Sequence, residues 1–384
     1  MKAGTKLPTD SDSVITELGK LKFRLLSEGM RIHESAVTAL ENAKNPIRTR
    51  SGVSGGLDIK LGNDVYVNVP VREVFAKSSH ISLHHIETSF VLMEDGAVIS
   101  EINVLPLPDY YQMQTPDGEQ MKRIGQMCSG DRFCYGMTGP GCHFWSEVNR
   151  CRYCSIGNNF DADAVRKQEK HLVEVLGHAI SDGSHPAKHV LIGGGTPPGE
   201  DMGAVLAAKL CKAIKQHYNI SIYVMIAAPL KNDYIDMLYD AGADELGMNV
   251  EFWSDEAWHM YIPGKEKEIG KKRYIEALEY AFSKFGPINT RSILIAGLED
   301  FSHTVEGAIQ LASRGVMPII SPFRPLTGTM LENDSGFDAD TYTRMFSELS
   351  EKLSSEYDMP LGPTCVCCQN NTLALPIGKY YRYY

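Results

Sequence analysis

Residues 142–154 read Cys142-His-Phe-Trp-Ser-Glu-Val-Asn-Arg-Cys151-Arg-Tyr-Cys154 and follow Phe133–Met137, a stretch with the composition of a buried strand. Three thiols therefore share one loop that comes directly after a strand. Such a loop holds zinc if a fourth ligand closes the tetrahedron. The candidates for that ligand are Cys128, Cys134 and His143. The same loop can instead hold an iron–sulfur cluster with one iron open to another molecule, and these residues alone leave both interpretations open.

The chain after residue 126 alternates short apolar runs with helical patterns. The runs of strand length are Phe133–Met137, His189–Ile192, Ile220–Ile226, Glu245–Val250, Ser292–Ala296 and Met317–Pro322. The helical patterns are Val165–Ile180, Met202–Ile214, Asn232–Ala241, Lys272–Phe285 and Thr304–Arg314. This alternation predicts an α/β fold with parallel strands and right-handed crossovers. About six strands fit an open or partial barrel, with the active groups at the C-terminal ends of the strands.

The sequence divides into three regions. They are an N-terminal α+β module (1–125), the barrel (126–335) and a Cys-rich C-terminal extension (336–384). In the first region we predict a helix at Ser27–Asn42 and strands at Val65–Val71, Ile81–Val91 and Ala97–Val104. The extension begins with a helix at Asp338–Tyr357, and Cys365, Cys367 and Cys368 follow it. The polar residues of Lys265–Lys272 are expected to face solvent.

Composition limits the classes of function. The chain has 384 residues, 43% of them hydrophobic and 22% charged, which is a globular balance. Its net charge of −10 disfavours nucleic acid as a partner, and no apolar run is long enough to span a membrane. Nine cysteines and no signal-peptide core in Met1–Leu25 predict a cytoplasmic protein whose cysteines serve metal binding or catalysis. Cys211 stands alone in a helical pattern and is expected to be a small buried side chain.

The pattern of motifs resembles the radical S-adenosylmethionine (SAM) superfamily, which places three cysteines after the first strand of a partial (β/α)6 TIM-like barrel. The second interval between the cysteines matches, and Tyr153 lies where the family has an aromatic residue that contacts adenine. The first interval holds eight residues instead of the common three. Further family motifs end later strands, namely Gly193-Gly194-Gly195-Thr196-Pro197, Asn249-Val250-Glu251, and Ile295-Ala296-Gly297-Leu298-Glu299-Asp300, with Asp300 in the place of the family's Glu.

The resemblance implies a cofactor set and residue roles. Cys142, Cys151 and Cys154 would ligate a [4Fe–4S] cluster that binds SAM and cleaves it to a 5′-deoxyadenosyl radical. The glycine segment would meet the amino group of SAM, while Asn249 and Glu251 would hold its ribose and methionine parts. A flavodoxin or a ferredoxin-type protein would supply electrons, and the substrate would be a small molecule or a carrier-bound group.

Within the superfamily, the stretch Pro322–Thr329 is most similar to the biotin-synthase-like branch. Uncharacterised radical SAM proteins of nitrilase gene clusters share Gly195–Gly199, Ala241–Asp244 and a C-terminal cysteine group. Arg324 ends the last strand and is our candidate catalytic residue, because a guanidinium can bind a substrate carboxylate or phosphate. The alternative for Arg324 is an ion pair with Glu251 or Asp300.

Cys365, Cys367 and Cys368 predict a second metal site. By resemblance it would be an auxiliary iron–sulfur cluster, completed by Cys128 or Cys134. Adjacent Cys367 and Cys368 point in different directions, so we expect one of them not to be a ligand. The alternatives are a zinc site that closes the C-terminus, or redox thiols.

The second site decides between several reactions. Auxiliary clusters of biotin and lipoyl synthases are consumed as sulfur donors, so the leading reaction is sulfur insertion. A second hypothesis keeps the SAM radical for rearrangement, dehydrogenation or carbon–carbon chemistry. A third, non-enzymatic hypothesis is a zinc-stabilised binding protein.

Overall fold

A computed structural model describes residues 15–42, 47, 55–128, 130–158, 164 and 167–381. The N-terminal module forms a six-stranded sheet in the order β1-β4-β5-β6-β2-β3, in which only the β1–β4 pair is parallel. Its strands are β1 (Arg31–Ile32), β2 (Leu57–Leu61), β3 (Val65–Val69), β4 (Ser82–Ile86), β5 (Ser89–Glu94) and β6 (Ala97–Val104). The module is therefore α+β, as the sequence predicts.

The second sheet forms the barrel wall, and its strands neighbour one another in chain order from β7 to β13. They are β7 (Gln126–Cys128), β8 (Arg132–Gly136), β9 (His189–Gly193), β10 (Ser221–Met225), β11 (Glu245–Gly247), β12 (Thr290–Ala296) and β13 (Met317–Pro322). Strands β8 to β13 are all parallel, which confirms the predicted partial barrel of six strands. A seventh strand that was not predicted, β7, pairs antiparallel with β8 at the edge.

Helices connect the parallel strands. The helices of the described residues are α1 (Glu17–Glu28), α2 (Glu34–Asn42), α3 (Met121–Ile124), α4 (Glu169–Ile180), α5 (Ala204–His217), α6 (Asp233–Asp240), α7 (Asp255–Tyr261), α8 (Pro263–Glu268), α9 (Lys271–Phe285), α10 (Phe301–Ala312) and α11 (Ala339–Tyr357). The predicted helix Val165–Ile180 begins only at Glu169, and Val165 lies outside the described residues. Helices α7 and α8 were not predicted. None of the helices in the described ranges is long and apolar enough to cross a bilayer.

The predicted helix Ser27–Asn42 is wrong in its first half. Helix α1 ends at Gly29, whose φ of 65° is accessible to glycine and whose N–H donates to Leu25 O. The next residues, Arg31–Ile32, extend and pair with β4 before α2 begins. Backbone geometry at a single glycine therefore divides one helical pattern into two helices.

A segment near the C-terminus, residues 359–375, joins the module to the barrel. The N–H of Leu373 donates to Ile320 O of β13 at 2.9 Å, and the N–H of Asn68 in β3 donates to Asn370 O at 2.8 Å. The fully buried Lys22 Nζ of α1 donates to the carbonyl oxygens of Gln369 and Ala374, at 2.7 and 2.6 Å. We call residues 359–375 the C-terminal segment. It contacts both sheets and carries the last three cysteines.

Candidate functional site

A cavity of about 300 Å³ opens at the C-terminal ends of the barrel strands. Most residues that the sequence motifs single out line it, and these are Cys142, Cys151, Tyr153, Cys154, Gly193, Gly194, Gly195, Thr196, Asn249, Glu251, Ile295 and Arg324. The fold therefore brings four separate sequence motifs and Arg324 to one cavity. Strand β8 runs from Arg132 at the closed end of the cavity toward the cysteine loop at its mouth.

The cysteine loop, residues 142–154, is held against the glycine segment. The N–H of Thr196 donates to Cys142 Sγ at 3.4 Å, and the N–H of His143 donates to Thr196 O at 2.6 Å. Burial raises the pKa of Cys151 to about 11 and that of Cys154 to about 12. These thiols carry their protons near neutral pH, so binding of iron must displace protons.

Gly195 allows the close approach between these two loops. A Cβ atom at this position would lie 2.0 Å from Gly141 O and 2.7 Å from Cys142 Cβ. Its N–H donates to Thr138 Oγ1 at 3.0 Å. Any side chain here would displace the cysteine loop, so glycine is required for packing. Pro197 does not line the cavity and lies against Gly203 instead.

Glu251 is buried in the cavity wall with a φ of 67°, which is unusual for a residue with a side chain. Its Oε1 atom accepts from Lys265 Nζ at 2.8 Å, and both side chains line the cavity. The expectation that Lys265 faces solvent is wrong, because its side chain is only 12% exposed. Burial opposes the Lys265 charge, but Glu251 raises its pKa well above the usual value.

Lys265 is a cavity residue that the sequence motifs miss. It lies on the short helix α8, which packs against the cysteine loop through Gly264. A Cβ atom at Gly264 would lie 2.4 Å from Asn149 O. The Pro263-Gly264 pair, a proline at the start of a helix followed by a glycine, is the one local signal of this docking.

The motif Ile295–Asp300 contributes differently from its prediction. Ile295 lines the cavity, but Asp300 is exposed and precedes α10 as its N-cap. Gly297 (φ 111°) lies beside Gly336, away from the cavity. Glu299 is the buried carboxylate, and it accepts from the N–H groups of Trp253 and Ser254 at 2.9 Å each. Glu299 therefore supports the turn that follows Glu251.

Arg324 closes the cavity from the side of the N-terminal module. Its Nη1 donates to Asn68 Oδ1 at 2.9 Å, and its Nη2 donates to Asn68 O at 2.7 Å. The predicted alternative, an ion pair with Glu251 or Asp300, is wrong, because Glu251 pairs with Lys265 and Asp300 is exposed. Burial lowers the pKa of Arg324 to about 10, so the guanidinium remains protonated at neutral pH.

The C-terminal cysteines lie at the opposite ends of the strands. Cys365 and Cys368 are buried beside His189 and Asp131, two residues that sequence reasoning missed. Cys367 is not one of those four donors, but its side chain lies beside them, in hydrogen-bonding contact with Asp131 and Cys365 and next to Tyr66 and Gly130. The two predicted helpers, Cys128 and Cys134, are buried on β7 and β8. Cys211 is buried in α5, as expected for a small apolar side chain.

Comparison with known proteins supplies independent findings. Residues 138–312 match the sequence profile of the radical SAM superfamily. The chain is 20% identical, over 362 residues, to bacteriochlorophyllide c C-7(1)-hydroxylase of Chlorobaculum limnaeum, which covers 89% of this chain and 86% of that protein.

Two solved structures are similar to part of the chain. Methylornithine synthase (PylB) has a TM-score of 0.48 and 16% identity, covering 61% of this chain and 64% of that one. The radical SAM methyltransferase TsrM of Kitasatospora setae, with tryptophan and a SAM analogue bound, has a TM-score of 0.36 and 15% identity, covering 59% and 42%. The chain therefore spans less than two thirds of each of these solved chains.

Proposed function

We propose that the cavity binds a [4Fe–4S] cluster and SAM and directs hydrogen abstraction from a small anionic molecule, which the match of residues 138–312 to the radical SAM superfamily supports. The observation that carries this proposal is that the cysteine loop, the glycine segment and Glu251 line one cavity together with Arg324. Similarity to a superfamily of enzymes also argues against the third hypothesis, a zinc-stabilised binding protein.

The donor set of the cysteine loop fits such a cluster. Cys142, Cys151 and Cys154 are half-buried and line the cavity, so thiolate ligands come from one side and the other side is open. A [4Fe–4S] cluster held there by these three residues would supply the one-electron chemistry that cleaves SAM. Gly195 keeps the glycine segment close enough to present backbone groups to the amino acid part of SAM.

Other side chains of the wall would orient SAM. Asn249 Oδ1 accepts from the N–H of Ile293 at 3.3 Å, which fixes the amide between β11 and β12. Glu251 lies on the same wall, and its carboxylate is held in place by Lys265 and by the hydroxyl of Tyr153. Tyr153 contacts Phe252 edge-on at 6.0 Å between ring centroids and offers an aromatic surface for adenine.

The side chains of the cavity wall that are not assigned to the cluster or to SAM indicate the class of substrate. Apolar side chains such as Leu191, Ile293 and Phe323 line the cavity, together with the guanidinium of Arg324. Asn68 fixes the plane of that guanidinium through two hydrogen bonds. A planar cation in an apolar cavity suits a compact molecule with an apolar body and a carboxylate or phosphate. Arg324 would bind and orient that group, while the surrounding wall excludes water.

Sulfur insertion is the second candidate reaction. The observation that favours it is a group of thiols near Arg132, which lines the closed end of the cavity with Cys134. Burial opposes the charge of Arg132, but the surrounding cysteines raise its pKa well above the usual value. They are Cys368, Cys134, Cys128 and Cys365. An auxiliary cluster at these thiols would place sulfur close to substrate, whereas rearrangement, dehydrogenation or carbon–carbon chemistry would not need it.

The reaction requires an external one-electron donor of the flavodoxin or ferredoxin type. A reducing cytoplasm suits that requirement and the nine cysteines of the chain, all of which are free thiols. Radical SAM enzymes act on small-molecule substrates. A substrate group attached to a carrier is the alternative, and it requires that the group be small enough to reach Arg324 in the cavity.

Anaerobic reconstitution with iron and sulfide tests the proposal. After reduction, the wild-type protein is expected to convert SAM to 5′-deoxyadenosine and methionine, and SAM is expected to shift the electron paramagnetic resonance signal of the reduced cluster. A protein that binds no iron, or that binds iron and leaves SAM intact, contradicts it. Many turnovers without loss of protein sulfide would exclude sulfur insertion, and a single turnover with sulfide loss would support it.

Arg324 tests the substrate class. Arg324→Gln is expected to keep the cluster and the abortive cleavage of SAM, and to lose deuterium transfer from labelled anionic molecules into 5′-deoxyadenosine. Arg324→Lys keeps a charge but not the planar fork, and should recover part of the transfer. Equal transfer in all three proteins would show that the substrate does not contact Arg324.

A further inference from the structure

Four donor side chains face one another at the N-terminal ends of β8 and β9, beneath the cavity. They are Asp131, His189, Cys365 and Cys368, and their ligand atoms all lie within 4.8 Å of one another. Strand β8 has five residues, so on the order of 13 Å of strand separates this group from the cysteine loop at the mouth. The two sites are therefore distinct.

The fold brings these donors together from three places. Asp131 lies in the turn before β8, and His189 is the first residue of β9, where it pairs in register with Arg132. Cys365 and Cys368 belong to one tight turn of the C-terminal segment, in which the N–H of Cys368 donates to Cys365 Sγ at 3.4 Å. Cysteines separated by two residues are a common half of a zinc site.

Two of the distances between these donors can be compared with the edges of a tetrahedral zinc site. His189 Nε2 lies 3.0 Å from Cys368 Sγ, and Cys365 Sγ lies 3.8 Å from Asp131 Oδ1. Metal–ligand bonds of about 2.0 Å to nitrogen or oxygen and about 2.3 Å to sulfur give tetrahedral edges of roughly 3.3–3.8 Å. Both distances lie close to that range.

We propose that Asp131, His189, Cys365 and Cys368 bind one divalent metal ion, and that the ion is zinc. Two thiolates, an imidazole and a carboxylate are all ligands that zinc accepts in a closed site. A four-iron cluster would need room for its irons and sulfides between the ligand atoms, which this compact group does not give. The ligand set thus differs from the auxiliary cluster predicted from the sequence, because Asp131 and His189 join it and Cys367 leaves it. A zinc ion here takes Cys365 and Cys368 away from an auxiliary cluster, so this proposal counts against sulfur insertion, the second candidate reaction.

Burial and charge support the same assignment. His189, Cys365 and Cys368 are buried, and the Asp131 side chain is 13% exposed, so the protein surrounds the site. Two thiolates and a carboxylate would carry three negative charges, and a divalent ion would leave one. Arg132 follows Asp131 in the chain and pairs in register with His189, so its guanidinium would balance that remaining charge. A neutral site of this kind avoids the cost of an unpaired buried charge.

The ion would link the C-terminal segment to the N-terminal ends of strands β8 and β9. Two residues after Cys368, Asn370 accepts from the N–H of Asn68, and the side chain of Asn68 holds Arg324. The metal thereby supports the closed side of the cavity without contacting the substrate. This assignment does not depend on SAM chemistry, since none of its four ligands belongs to the cysteine loop.

Metal analysis of the full-length protein tests this site. The wild type and Cys367→Ser are expected to contain about one zinc per chain, while Cys368→Ser and His189→Ala contain less than about a tenth of that. The iron bound by the cysteine loop is expected to be equal in all four proteins. Replacement of zinc by cobalt(II) should give the intense visible bands of a tetrahedral thiolate site in wild type and Cys367→Ser only.

Cys367→Ser is the matched control, because it removes an adjacent thiol that is not one of the four donors and keeps a hydroxyl that can hydrogen-bond to Asp131 and Cys365. If Cys368→Ser does not fold, chelator-treated wild type titrated with Zn²⁺ replaces it, and one equivalent must bind and raise the unfolding temperature. Iron and sulfide of a second cluster that disappear in Cys368→Ser would overturn the proposal. So would equal zinc in all variants, an equal loss in Cys367→Ser, or absence of zinc binding by the chelator-treated protein.

Discussion

The two cysteine groups occupy opposite ends of one barrel and differ in how far the protein surrounds them. Cys142, Cys151 and Cys154 are half-buried, come from a single loop and line the cavity. Cys365 and Cys368 are buried and meet ligands from two other parts of the chain. An open set of three leaves room for a reacting molecule, whereas a closed set of four suits a structural ion. We call the cavity with the cysteine loop the reactive end of the barrel, and the group of Asp131, His189, Cys365 and Cys368 the structural end.

The largest expected effect is the loss of SAM cleavage when a cysteine of the reactive end is removed. Cys151→Ala is expected to lose most of the iron of the cavity and all detectable cleavage of SAM, because two thiols of the loop do not hold a cluster. Its zinc content should stay unchanged. The readouts are iron content and 5′-deoxyadenosine formation. Cys211→Ala, which removes a buried thiol far from both groups, is the control, and retained SAM cleavage by Cys151→Ala would contradict the assignment.

Removing a ligand at the structural end is expected to lower the free energy of unfolding. Cys368→Ser should lower the free energy of unfolding on the order of 5 kcal/mol, since metal binding to a site formed only in the folded chain stabilises that fold. Denaturant unfolding of proteins without the cavity cluster measures it. Cys151→Ala in the same assay should change stability far less. If both variants lost equal stability, the distinction between the two ends would fail.

The next prediction tests whether the ion pair between Lys265 and Glu251 at the reactive end contributes to stability and to SAM binding. Lys265→Met leaves the buried Glu251 carboxylate without its cation, which is expected to cost about 3–5 kcal/mol of unfolding free energy and to weaken SAM binding. Lys265→Arg keeps the charge and should recover most of both. Denaturant unfolding and equilibrium SAM binding are the measurements. Unchanged SAM affinity in Lys265→Met would show that the pair serves only packing.

The smallest effect concerns a region that belongs to neither end. Arg24 Nη1 of α1 donates to Glu94 Oε2 of β5 at 3.0 Å, and the hydrogen bond from Arg24 lowers the pKa of Glu94. The ionised carboxylate therefore favours the folded state above about pH 4.5, and this contribution disappears as pH falls below that value.

Glu94→Gln tests that contribution. Its deficit in unfolding free energy relative to wild type should be below about 1 kcal/mol at pH 7 and should vanish in acid. Denaturant unfolding across pH measures the difference, with iron and zinc content as controls that should not change. A deficit that grows as pH falls has the wrong sign for this pair.

Local sequence was sufficient for the barrel and for most of its mouth. The parallel strands are continuous apolar runs, and each motif lies where a run ends, so the order of motifs predicts their meeting at one edge. The N-terminal module was harder. Strand β2 carries Asp58 and Lys60 between apolar residues, and the buried Asp58 Oδ1 accepts from Asn68 Nδ2 at 2.7 Å and from the distant Asn370 Nδ2 at 3.2 Å.

The missed site residues depend on contacts distant in sequence. His189 meets Cys368 across 179 residues, and Asp131 meets Cys365 across 234. Neither has a local motif, because the first residue of a buried strand and a turn aspartate are common features. Lys265 looked solvated since its neighbours are charged, and only the docking of α8 on the cysteine loop buries it. Asp300 does not line the cavity for a local reason, because Glu299 is the carboxylate that turns inward.

The partners of Lys22 impose an order on how this protein matures during synthesis. Its ammonium group is held by the carbonyl oxygens of Gln369 and Ala374, which lie 347 and 352 residues further along the chain. Helix α1 thus leaves the ribosome long before its buried lysine can be satisfied. Helix α1 and the barrel strands are synthesised earlier, but the contacts that join them to the C-terminal segment wait until that segment has been made. A nascent chain that stops before residue 369 would leave the barrel without its lower closure and α1 without its anchor.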